Sequence, residues 1–574
     1  MKKIFGLIII STLLFSACNT PATVNSSAAT ATATSIPATA TATEIPPTST
    51  VTPLPPTPTL APESAFIKGI TLNYSSHGPK IGTSGSEKVI QQYILPSGAN
   101  YVALIPTCWS VNMRDTSIVC SDEFIEGGVP PVTDGELISS IHYLHSIGLR
   151  VVLKPQALVE TVHVEESELK TRHFNSDHWN AWFASYTTFI THYAQLAEDN
   201  QVDLFVVGNE QEDNTQKEQE WRAVIAAVGN VYHGPITYAA NAWEFEASRI
   251  KFWDALDYIG TNGYQFGFLA KKDPTLDDRI QAWQPEIKRL EEMSRQNGKQ
   301  VIITEVGAMS MSGFSAGVTN GYHWIPAAYD GQEQADYYTA LFEALKDKPW
   351  LKGIILWSIS TEFLQGGAND IGDSFIAKPA EQVVHQYFGG TPIMPTPLPN
   401  FIEEPANYFS LFKEDLVDGW SLWYEPSNTA PSEFTAQDGY QSSYSVLFPL
   451  SKWLELVIAQ EDPIANISQY KWIEFYIKVG KRQPQTLFAM FEYWSPEYFT
   501  FSRVVDINNP NYMEGGQYQP GTWQRVRIPL IDFGITDQDF NQIHIMNCTL
   551  PCSFNNNKNA DDIYIDDIRL VGGK

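Results

Sequence analysis

The sequence predicts an α/β fold, a (β/α)₈ TIM barrel, followed by a C-terminal all-β sandwich of the jelly-roll type. Between residues 65 and 390, short β-branched and aromatic runs alternate with amphipathic stretches. After residue 407 the helical periodicity stops and strand patterns follow one another. A short Pro-rich segment separates the two regions. These observations together predict two folded domains of different class.

The N-terminus has the pattern of an export signal. Lys2 and Lys3 precede an apolar run that ends in Leu-Phe-Ser-Ala-Cys at Cys18. This ending resembles a bacterial lipobox, which implies that the Cys18 thiol carries a diacylglycerol; the alternative is an ordinary signal peptide with an incidental Cys. We therefore expect residues 1–18 to be a lipoprotein signal peptide. The protein is expected outside the cell or on its surface, anchored by lipid to the bacterial membrane.

Two low-complexity segments predict the domain boundaries. Residues 19–62 consist largely of Thr, Ala, Pro and Ser, a composition typical of a disordered tether. Residues 391–404 form a second, Pro-rich linker. We expect the barrel in residues 63–390 and the β-sandwich in residues 405–574.

The net charge restricts the partners of the protein. The chain has 65 acidic and 37 basic side chains, a formal charge of −28. Binding to phosphates needs a surplus of Lys and Arg, so we expect no nucleic-acid partner and no membrane contact except through the lipid anchor. The 16 Trp, 26 Tyr and 30 Phe residues exceed the usual aromatic content, and flat aromatic rings stack on neutral sugars. The alternative is that they fill the core. We expect a polysaccharide partner and a monomer.

The five Cys residues fit an exported protein. With Cys18 assigned to lipid, two pairs of short separation remain, Cys108 with Cys120 and Cys548 with Cys552. We predict two disulfides. A metal site is the weaker alternative, because no neighbouring His or Cys completes a set of ligands.

The barrel elements follow in order along the chain. The predicted strands are Phe66–Leu72, Tyr101–Pro106, Arg150–Lys154, Leu204–Gly208, Ile236–Ala240, Tyr258–Thr261, Val301–Thr304 and Gly353–Trp357. The predicted helices include Asp134–Ile147, His178–Asp199, Lys217–Tyr232, Leu276–Gln296 and Gln332–Lys346. An open doubly wound sheet is the alternative, but it usually has fewer strands, and no glycine-rich phosphate loop follows any of these.

Two strand ends carry carboxylates. In a barrel the chemistry lies on the loops after the strands, and here the fourth strand runs into Asn209-Glu210 and the seventh into Glu305. These strands lie across the barrel mouth from each other. Two carboxyls that flank one bond supply the proton and the nucleophile needed to cleave a glycosidic link. A lone Glu at a strand end is more often a cap or an ion-pair partner, but a pair at these positions favours catalysis.

Six stretches resemble glycoside hydrolase family 113, a family of the clan A retaining hydrolases whose known members are β-mannanases. They are VVLKP (Val151 to Pro155), DLFVVGNE (Asp203 to Glu210), ITYAANAW (Ile236 to Trp243), FWDALDYIGTNGY (Phe252 to Tyr264), VIITEVG (Val301 to Gly307) and GIILWS (Gly353 to Ser358). The resemblance extends from Gly69 to about Phe388. It implies that Glu210 is the general acid/base and Glu305 the nucleophile.

The resemblance also implies roles for other strand-end residues. Asn209 would bind the 2-hydroxyl of the sugar in the −1 subsite, Tyr264 would orient the nucleophile, and Trp357 would form the floor of the subsite. The further candidates for substrate binding are Trp109, Lys154, Asn241 and Trp243. A Lys at a strand end is rarely buried without a partner, so we expect a substrate hydroxyl or an acidic neighbour beside Lys154. Trp243 fits either a sugar platform or loop packing. Catalysis is expected to need no cofactor.

The C-terminal region shows strand patterns at Trp453–Ala459, Trp472–Val479, Thr486–Trp494, Trp523–Leu530 and Ala560–Val571. Their order resembles the jelly-roll carbohydrate-binding modules of secreted polysaccharide hydrolases. Such modules often hold a structural Ca²⁺, for which Glu414 and Asp566 are the candidate ligands; the alternative is that Asp566 caps a loop. Tyr493, Trp494 and Tyr498 are candidates for a sugar platform.

The function expected from these patterns is that of a retaining glycoside hydrolase acting on β-linked polysaccharide, with endo-β-1,4-mannanase as the leading assignment. One alternative is hydrolysis of another β-glycan, such as glucan, xylan or galactan. The other alternative is a non-catalytic, glycan-binding surface lipoprotein that retains the barrel as a scaffold.

Overall fold

The computed structural model describes most of the chain after residue 64. The described residues are 65–74, 78–110, 112, 114–120, 131–159, 174–242, 246–264, 266–269, 271, 274–316, 329–361, 365–367, 370–393, 399, 401, 407–413, 415–425, 435–450, 455–464, 467–480, 487–494, 499–535, 540–547 and 562–572. The predicted signal peptide and tether, with Cys18, therefore lie outside the described residues, as do Trp243, Glu414, Tyr498, Cys548 and Cys552.

Eight parallel strands close into a barrel, as the sequence predicts. The first ten strands of the chain are β1 (Ile67–Asn73), β2 (Tyr101–Leu104), β3 (Thr107–Ser110), β4 (Arg150–Leu153), β5 (Gln156–Val159), β6 (Leu204–Asn209), β7 (Ile236–Ala240), β8 (Ile259–Asn262), β9 (Val301–Val306) and β10 (Leu351–Ser360). The order around the barrel is β1-β10-β9-β8-β7-β6-β4-β2. Strands β3 and β5 form a separate two-stranded sheet that the sequence analysis does not predict.

Each of the five predicted helices has an observed counterpart, although one is divided in two, and three helices of the described residues were not among those predicted. The helices of the barrel region are α1 (Ser84–Val89), α2 (Asp134–Ser146), α3 (Ser176–Asp199), α4 (Glu218–Gly229), α5 (Glu246–Arg249), α6 (Leu276–Ala282), α7 (Gln284–Asn297), α8 (Gly331–Leu345) and α9 (Pro379–Phe388). The single helix predicted for Leu276–Gln296 is wrong, because the chain breaks it at Trp283. Pro285 has no N–H to continue the first helix and instead opens the second one.

Two hydrophobic cores hold the barrel together. Inside it, apolar side chains of alternate residues fill the lumen, among them Val152, Val206, Ile302 and Ile355. The larger core lies between the strands and the helices that surround them. Because alternate residues of each strand face these two cores, the end of the strand is where a side chain can leave the packing and reach the barrel mouth.

The C-terminal region consists of two antiparallel sheets. Its strands are β11 (Tyr408–Phe412), β12 (Ser421–Glu425), β13 (Thr435–Ala436), β14 (Ser445–Phe448), β15 (Glu455–Ala459), β16 (Trp472–Val479), β17 (Leu487–Trp494), β18 (Phe499–Phe501), β19 (Val505–Asp506), β20 (Trp523–Pro529), β21 (Gln542–Asn547) and β22 (Ile563–Val571). One sheet runs β13-β14-β22-β16-β20, with β11 also paired to β22. The other runs β12-β15-β21-β17-β18, with β19 paired to β17. Apolar side chains of both sheets form one shared core.

Within the described ranges, none of the helices combines the length and the apolar character needed to cross a bilayer.

Candidate active site

The carboxyl ends of four barrel strands bring polar side chains to one mouth. Glu210 directly follows β6, Glu305 is the fifth residue of β9, and Lys154 directly follows β4. Asn262 ends β8, with Tyr264 two residues beyond it. Parallel strands that follow one another around a closed barrel present their ends on the same face, so side chains from distant parts of the sequence converge there.

The carboxylate of Glu305 is held on both of its oxygens. The Lys154 ammonium pairs with Oε1, and the Tyr264 hydroxyl donates a hydrogen bond of 2.8 Å to Oε2. Glu305 is 5% exposed and Lys154 is 1% exposed. A buried ammonium needs a counter-charge, so Glu305 is the acidic neighbour that the sequence predicts for Lys154.

Glu210 lies in a different environment. Its backbone adopts the left-handed conformation, with φ of 52°, and its N–H donates to the carbonyl of Ala239 over 2.9 Å. The carboxyl accepts one hydrogen bond, of 2.7 Å, from Nδ2 of Asn262. Burial, reinforced by the charge of Glu305, raises the pKa of Glu210 to about 7. This carboxyl therefore holds a proton at pH values where an ordinary Glu has lost it.

Asn262 connects the two strand ends, and the sequence analysis does not include it. Its Nδ2 donates to Glu210 and lies 3.4 Å from Oδ1 of Asn209, while its Oδ1 accepts a hydrogen bond of 2.8 Å from the Thr304 hydroxyl. The Thr304 bond determines which way the amide faces, so that the NH₂ group points to Glu210. The rule that strand-end residues line the mouth would have identified Asn262.

A third buried carboxyl supports the backbone beside Glu210. Glu246 opens α5, is 0% exposed, and accepts hydrogen bonds from the Tyr238 hydroxyl, 2.8 Å, and from the N–H of Asn241, 2.5 Å. The Tyr238 hydroxyl in turn accepts a hydrogen bond of 2.8 Å from the N–H of Gln211. Burial raises the pKa of Glu246 to about 8, and the charge of Glu210 acts in the same direction. No local sequence pattern points to Glu246.

The remaining candidates take different places around the mouth. Trp357 lies in β10 and is half-buried; its peptide bond to Ser358 is cis. The backbone of Gly307 approaches it so closely that a Cβ would lie 2.4 Å from the Trp357 carbonyl oxygen. Trp109 is half-buried in β3, where its backbone pairs with Val119.

The predicted disulfide between Cys108 and Cys120 is present, with the two Cα atoms 4.6 Å apart. It closes the turn that holds Trp109, because Cys108 precedes this residue in β3 and Cys120 follows its partner Val119.

The C-terminal candidates are separate from the barrel mouth in the sequence and belong to the two antiparallel sheets. Asp566 is buried in β22 and accepts hydrogen bonds from the N–H groups of Tyr440, 2.6 Å, and Asp567, 2.7 Å, and from the Ser442 hydroxyl. Burial raises its pKa. Trp494 is 52% exposed at the end of β17. Among the residues that the structure describes, no three His, Cys, Asp or Glu side chains group as metal ligands.

Comparisons with known proteins assign the barrel region to a family. The chain matches the model of Glycoside Hydrolase Family 113 over residues 73–375. A solved GH113 β-1,4-mannanase is 29% identical to it, with 56% of this chain and 99% of that chain covered and a TM-score of 0.48. For the β-mannanase of Alicyclobacillus acidocaldarius solved with ManMIm, the identity is 28%, the shares are 56% and 97%, and the TM-score is 0.48. No curated protein matches the chain significantly.

Proposed function

The chain belongs to glycoside hydrolase family 113 and is thus a glycoside hydrolase, and from this premise we propose that it is a retaining endo-β-1,4-mannanase that works by double displacement. The observation that supports this mechanism best is the unequal environment of its two carboxyls. Glu305 is paired with Lys154 and bonded by Tyr264, whereas burial raises the pKa of Glu210 to about 7. Two neighbouring carboxyls, one ion-paired and the other with a raised pKa, are suited to act as nucleophile and acid.

The proposed reaction has two steps. In the first, a carboxylate oxygen of Glu305 attacks the anomeric carbon while the Glu210 carboxyl gives its proton to the leaving oxygen, so that a glycosyl ester forms and the glycosidic bond breaks. In the second, Glu210, now ionised, takes a proton from a water molecule that attacks the anomeric carbon and releases Glu305. Such a mechanism needs no cofactor. It requires the two carboxyl groups to lie about 5–5.5 Å apart.

The surrounding residues would bind and orient the sugar. Asn209 would hydrogen-bond the 2-hydroxyl, Trp357 would form the floor of the −1 subsite, and Trp109, Asn241 and Trp243 would line the subsites beyond. We assign Lys154 and Tyr264 mainly to the nucleophile, because both contact Glu305. Asn262 would act on the acid, because its amide donates to Glu210.

A stereochemical experiment tests the mechanism. Proton NMR of mannan oligosaccharides during hydrolysis should show the β-anomer as the first product, followed by slow mutarotation. A first product of α configuration would contradict double displacement. Incubation with a 2-deoxy-2-fluoro-mannosyl fluoride should leave a glycosyl group on the peptide that contains Glu305, which mass spectrometry detects.

A panel of polysaccharides tests the substrate. Reducing ends should appear with mannan and glucomannan and stay near background with xylan, cellulose and galactan. Mannan is proposed as the substrate because the known members of the family are β-mannanases. Release of reducing ends from a different β-glycan would therefore support hydrolase activity and contradict mannan as the substrate. Binding to the panel without release from any member would favour the non-catalytic scaffold. Internal cleavage of a mannan oligosaccharide of defined length would establish endo action.

We propose further that the two C-terminal sheets form a jelly-roll carbohydrate-binding module, with Tyr493, Trp494 and Tyr498 as the platform that stacks on sugar. In the same proposal Glu414 and Asp566 bind a structural Ca²⁺. The protein is proposed to be a monomer that is anchored to the membrane through a lipid on Cys18. The exposed ring of Trp494 supports the platform. Slower migration in mannan-containing native gels, abolished in Trp494→Ala, would test binding. A thermal midpoint unchanged by EDTA would contradict the Ca²⁺ site, and Cys18→Ser should release the protein from the membrane fraction.

A further inference from the structure

The barrel and the C-terminal sheets meet at a contact made by a few polar side chains. Arg503, which lies between β18 and β19, donates a hydrogen bond of 3.0 Å from Nη2 to the hydroxyl of Tyr93 in the barrel region, and its guanidinium carbon lies 5.3 Å from the centre of that ring. Next to it, Nε2 of Gln92 donates to the carbonyl of Gly534 over 2.9 Å. Both hydrogen bonds join residues more than four hundred positions apart in the sequence.

The two central residues are buried in the contact. Tyr93 is 4% exposed and Arg503 is 6% exposed. Tyr93 belongs to the large core of the barrel, whereas the backbone N–H of Arg503 donates to the Phe533 carbonyl in the sheet region, 2.9 Å away. A guanidinium buried this far needs a favourable electrostatic environment, since the charge loses its hydration. Each region thus contributes a side chain that the other one encloses.

Glu381 provides the negative charge. Burial raises the pKa of this carboxyl in the first turn of α9, and the charge of Arg503 opposes that rise. The Glu381 carboxylate also accepts a hydrogen bond of 2.7 Å from the N–H of Ala377, whose φ of 51° is unusual for a residue other than glycine. Arg503 therefore acts on a carboxylate that holds the end of the segment following β10.

Gly534 shows how closely the two surfaces approach. Its φ is +77°, and a Cβ at this position would lie 2.9 Å from the Tyr93 hydroxyl and 3.5 Å from the Arg503 guanidinium carbon. A side chain would therefore separate the surfaces. Gly367 on the barrel side also lies against the arginine, because a Cβ there would be 3.7 Å from Arg503 Cδ.

Residues 365–367 and 370–378 connect this contact with the strand that carries Glu305. Gln334 holds them by donating from Nε2 to the carbonyls of Asp373, 3.1 Å, and of Ala308, 2.7 Å, which is three residues after Glu305. Burial raises the pKa of Tyr264, and the charges of Glu305 and of Asp373 raise it further. Tyr264 in turn donates to Glu305. Residues 365–367 and 370–378 thus lie between Arg503 and the nucleophile.

We infer that the C-terminal sheets are docked on the barrel through Arg503, that the two regions unfold as one cooperative unit, and that this docking braces residues 365–367 and 370–378. The match to the family model ends at residue 375, so the sheets lie outside it. They are then a structural part of the hydrolase, independently of the sugar binding proposed for them above. This inference does not depend on the proposed substrate.

Calorimetry of the full chain tests the docking. The wild-type protein should give one unfolding transition, and Arg503→Ala should divide it into two, because the buried contact is lost. Arg569→Ala is the matched control: this arginine pairs with Glu474 inside the sheets, so its loss should lower the midpoint and leave a single transition. Two independent transitions in the wild type, or an unchanged single transition in Arg503→Ala, would overturn the inference.

Hydrogen exchange tests the brace without any activity measurement. In Arg503→Ala, peptides from residues 365–378 should exchange several-fold faster than in the wild type, while those of β4 and β6 keep their rates. Tyr93→Phe removes the hydroxyl that accepts the Arg503 hydrogen bond, so the exchange rates of the same peptides should rise by a smaller factor. This variant provides the test if Arg503→Ala does not fold. Arg569→Ala should leave these peptides unchanged. Equal exchange in wild type, Arg503→Ala and Tyr93→Phe would contradict the brace.

Discussion

Buried carboxylates occur in both regions of the molecule, and their surroundings differ. In the C-terminal sheets, Glu474 is 0% exposed and is paired with Arg527 and with Arg569. At the barrel mouth, the charge of Glu305 raises the pKa of Glu210, and the charge of Glu210 raises the pKa of Glu246, in both cases in addition to burial. Of these three carboxyls, Glu305 is the one that pairs with Lys154. The sheets place two cations on one carboxylate, whereas the barrel mouth has more carboxyls than the ammonium of Lys154 can balance.

The difference shows which buried charges stabilise the fold and which are available for chemistry. A carboxylate between two arginines is fixed in place by charge-assisted hydrogen bonds on both of its oxygens, as Glu474 is. A carboxyl that is buried beside another carboxylate has a raised pKa, as Glu210 has, and can exchange a proton near neutral pH. Charge balance therefore marks a structural cluster, and charge imbalance marks the candidate active site.

Replacement of the acid should have the largest effect on activity. Glu210→Gln keeps the size of the side chain and removes its proton, so kcat on mannan should fall by at least about 10³-fold, within the range of general acid–base catalysis. Unfolding by urea should show no loss of stability above pH 7, since the variant removes a carboxyl that burial destabilises as an anion. Reducing-sugar release and urea titrations measure the two effects.

An activated substrate provides the control for this variant. In an aryl β-mannoside whose phenol has a low pKa, the phenolate leaves without receiving a proton. The rate of the first step should therefore fall far less in Glu210→Gln with this substrate than with mannan. Equal losses on both substrates would show that Glu210 acts in some way other than as the acid.

The opposite result is expected for the balanced cluster. Glu474→Gln leaves two buried arginines without their counter-charge, which should lower the free energy of unfolding by about 3–5 kcal/mol. The kcat of the folded variant at 25 °C should stay at the wild-type value. If Glu474→Gln abolished activity in a protein that calorimetry shows to be folded, the division into structural and catalytic clusters would fail.

The stability of the protein should depend on pH through Glu246, the third carboxyl at the barrel mouth. The pKa of Glu246 is raised from 4.5 to about 8, so the wild-type protein is most stable below pH 4.5 with respect to this group and loses that stability as the pH rises through 8. Glu246→Gln removes the ionisation. Its free energy of unfolding should equal that of the wild type near pH 5 and exceed it by up to about 4 kcal/mol at pH 9. A variant less stable than the wild type at pH 9 would show that the hydrogen bonds of the carboxylate dominate.

Much of the fold could be predicted because the periodicity of apolar residues and the length of each apolar run depend only on residues that are close in the sequence. The barrel strands are short, β-branched runs between helical stretches, and they were identifiable one by one. The helix predicted across Leu276–Gln296 was wrong because its apolar periodicity continues through Trp283, while the proline that ends the first helix lies two residues further on. The short strands β13, β18 and β19 contain two or three residues each and carry no periodic signal.

The candidate site could be predicted where a strand end carries a residue type of distinctive chemistry. Glu210 and Glu305 are acidic and follow the predicted strands Leu204–Gly208 and Val301–Thr304, although the observed strands extend to Asn209 and Val306. Asn262 directly follows the predicted strand Tyr258–Thr261 and ends the observed strand Ile259–Asn262, but an amide at that position does not by itself indicate a catalytic role. Glu246 reaches the site through tertiary packing against Tyr238, which no local pattern records.

The smallest of these effects should come from the amide that bonds the acid. Asn262 lowers the pKa of Glu210 by donating to its carboxylate, so Asn262→Ala should raise that pKa and move the basic limb of kcat/KM upward by about one pH unit or less. Thr304→Val is the matched control, because it removes the hydroxyl that orients the Asn262 amide and keeps the amide itself. The basic limb of kcat/KM should therefore move upward by less in Thr304→Val than in Asn262→Ala. Because kcat/KM reports the free enzyme, its pH profile on mannan oligosaccharides measures the shift directly. A limb that moves to lower pH in Asn262→Ala would mean that the proton needed for catalysis does not reside on Glu210.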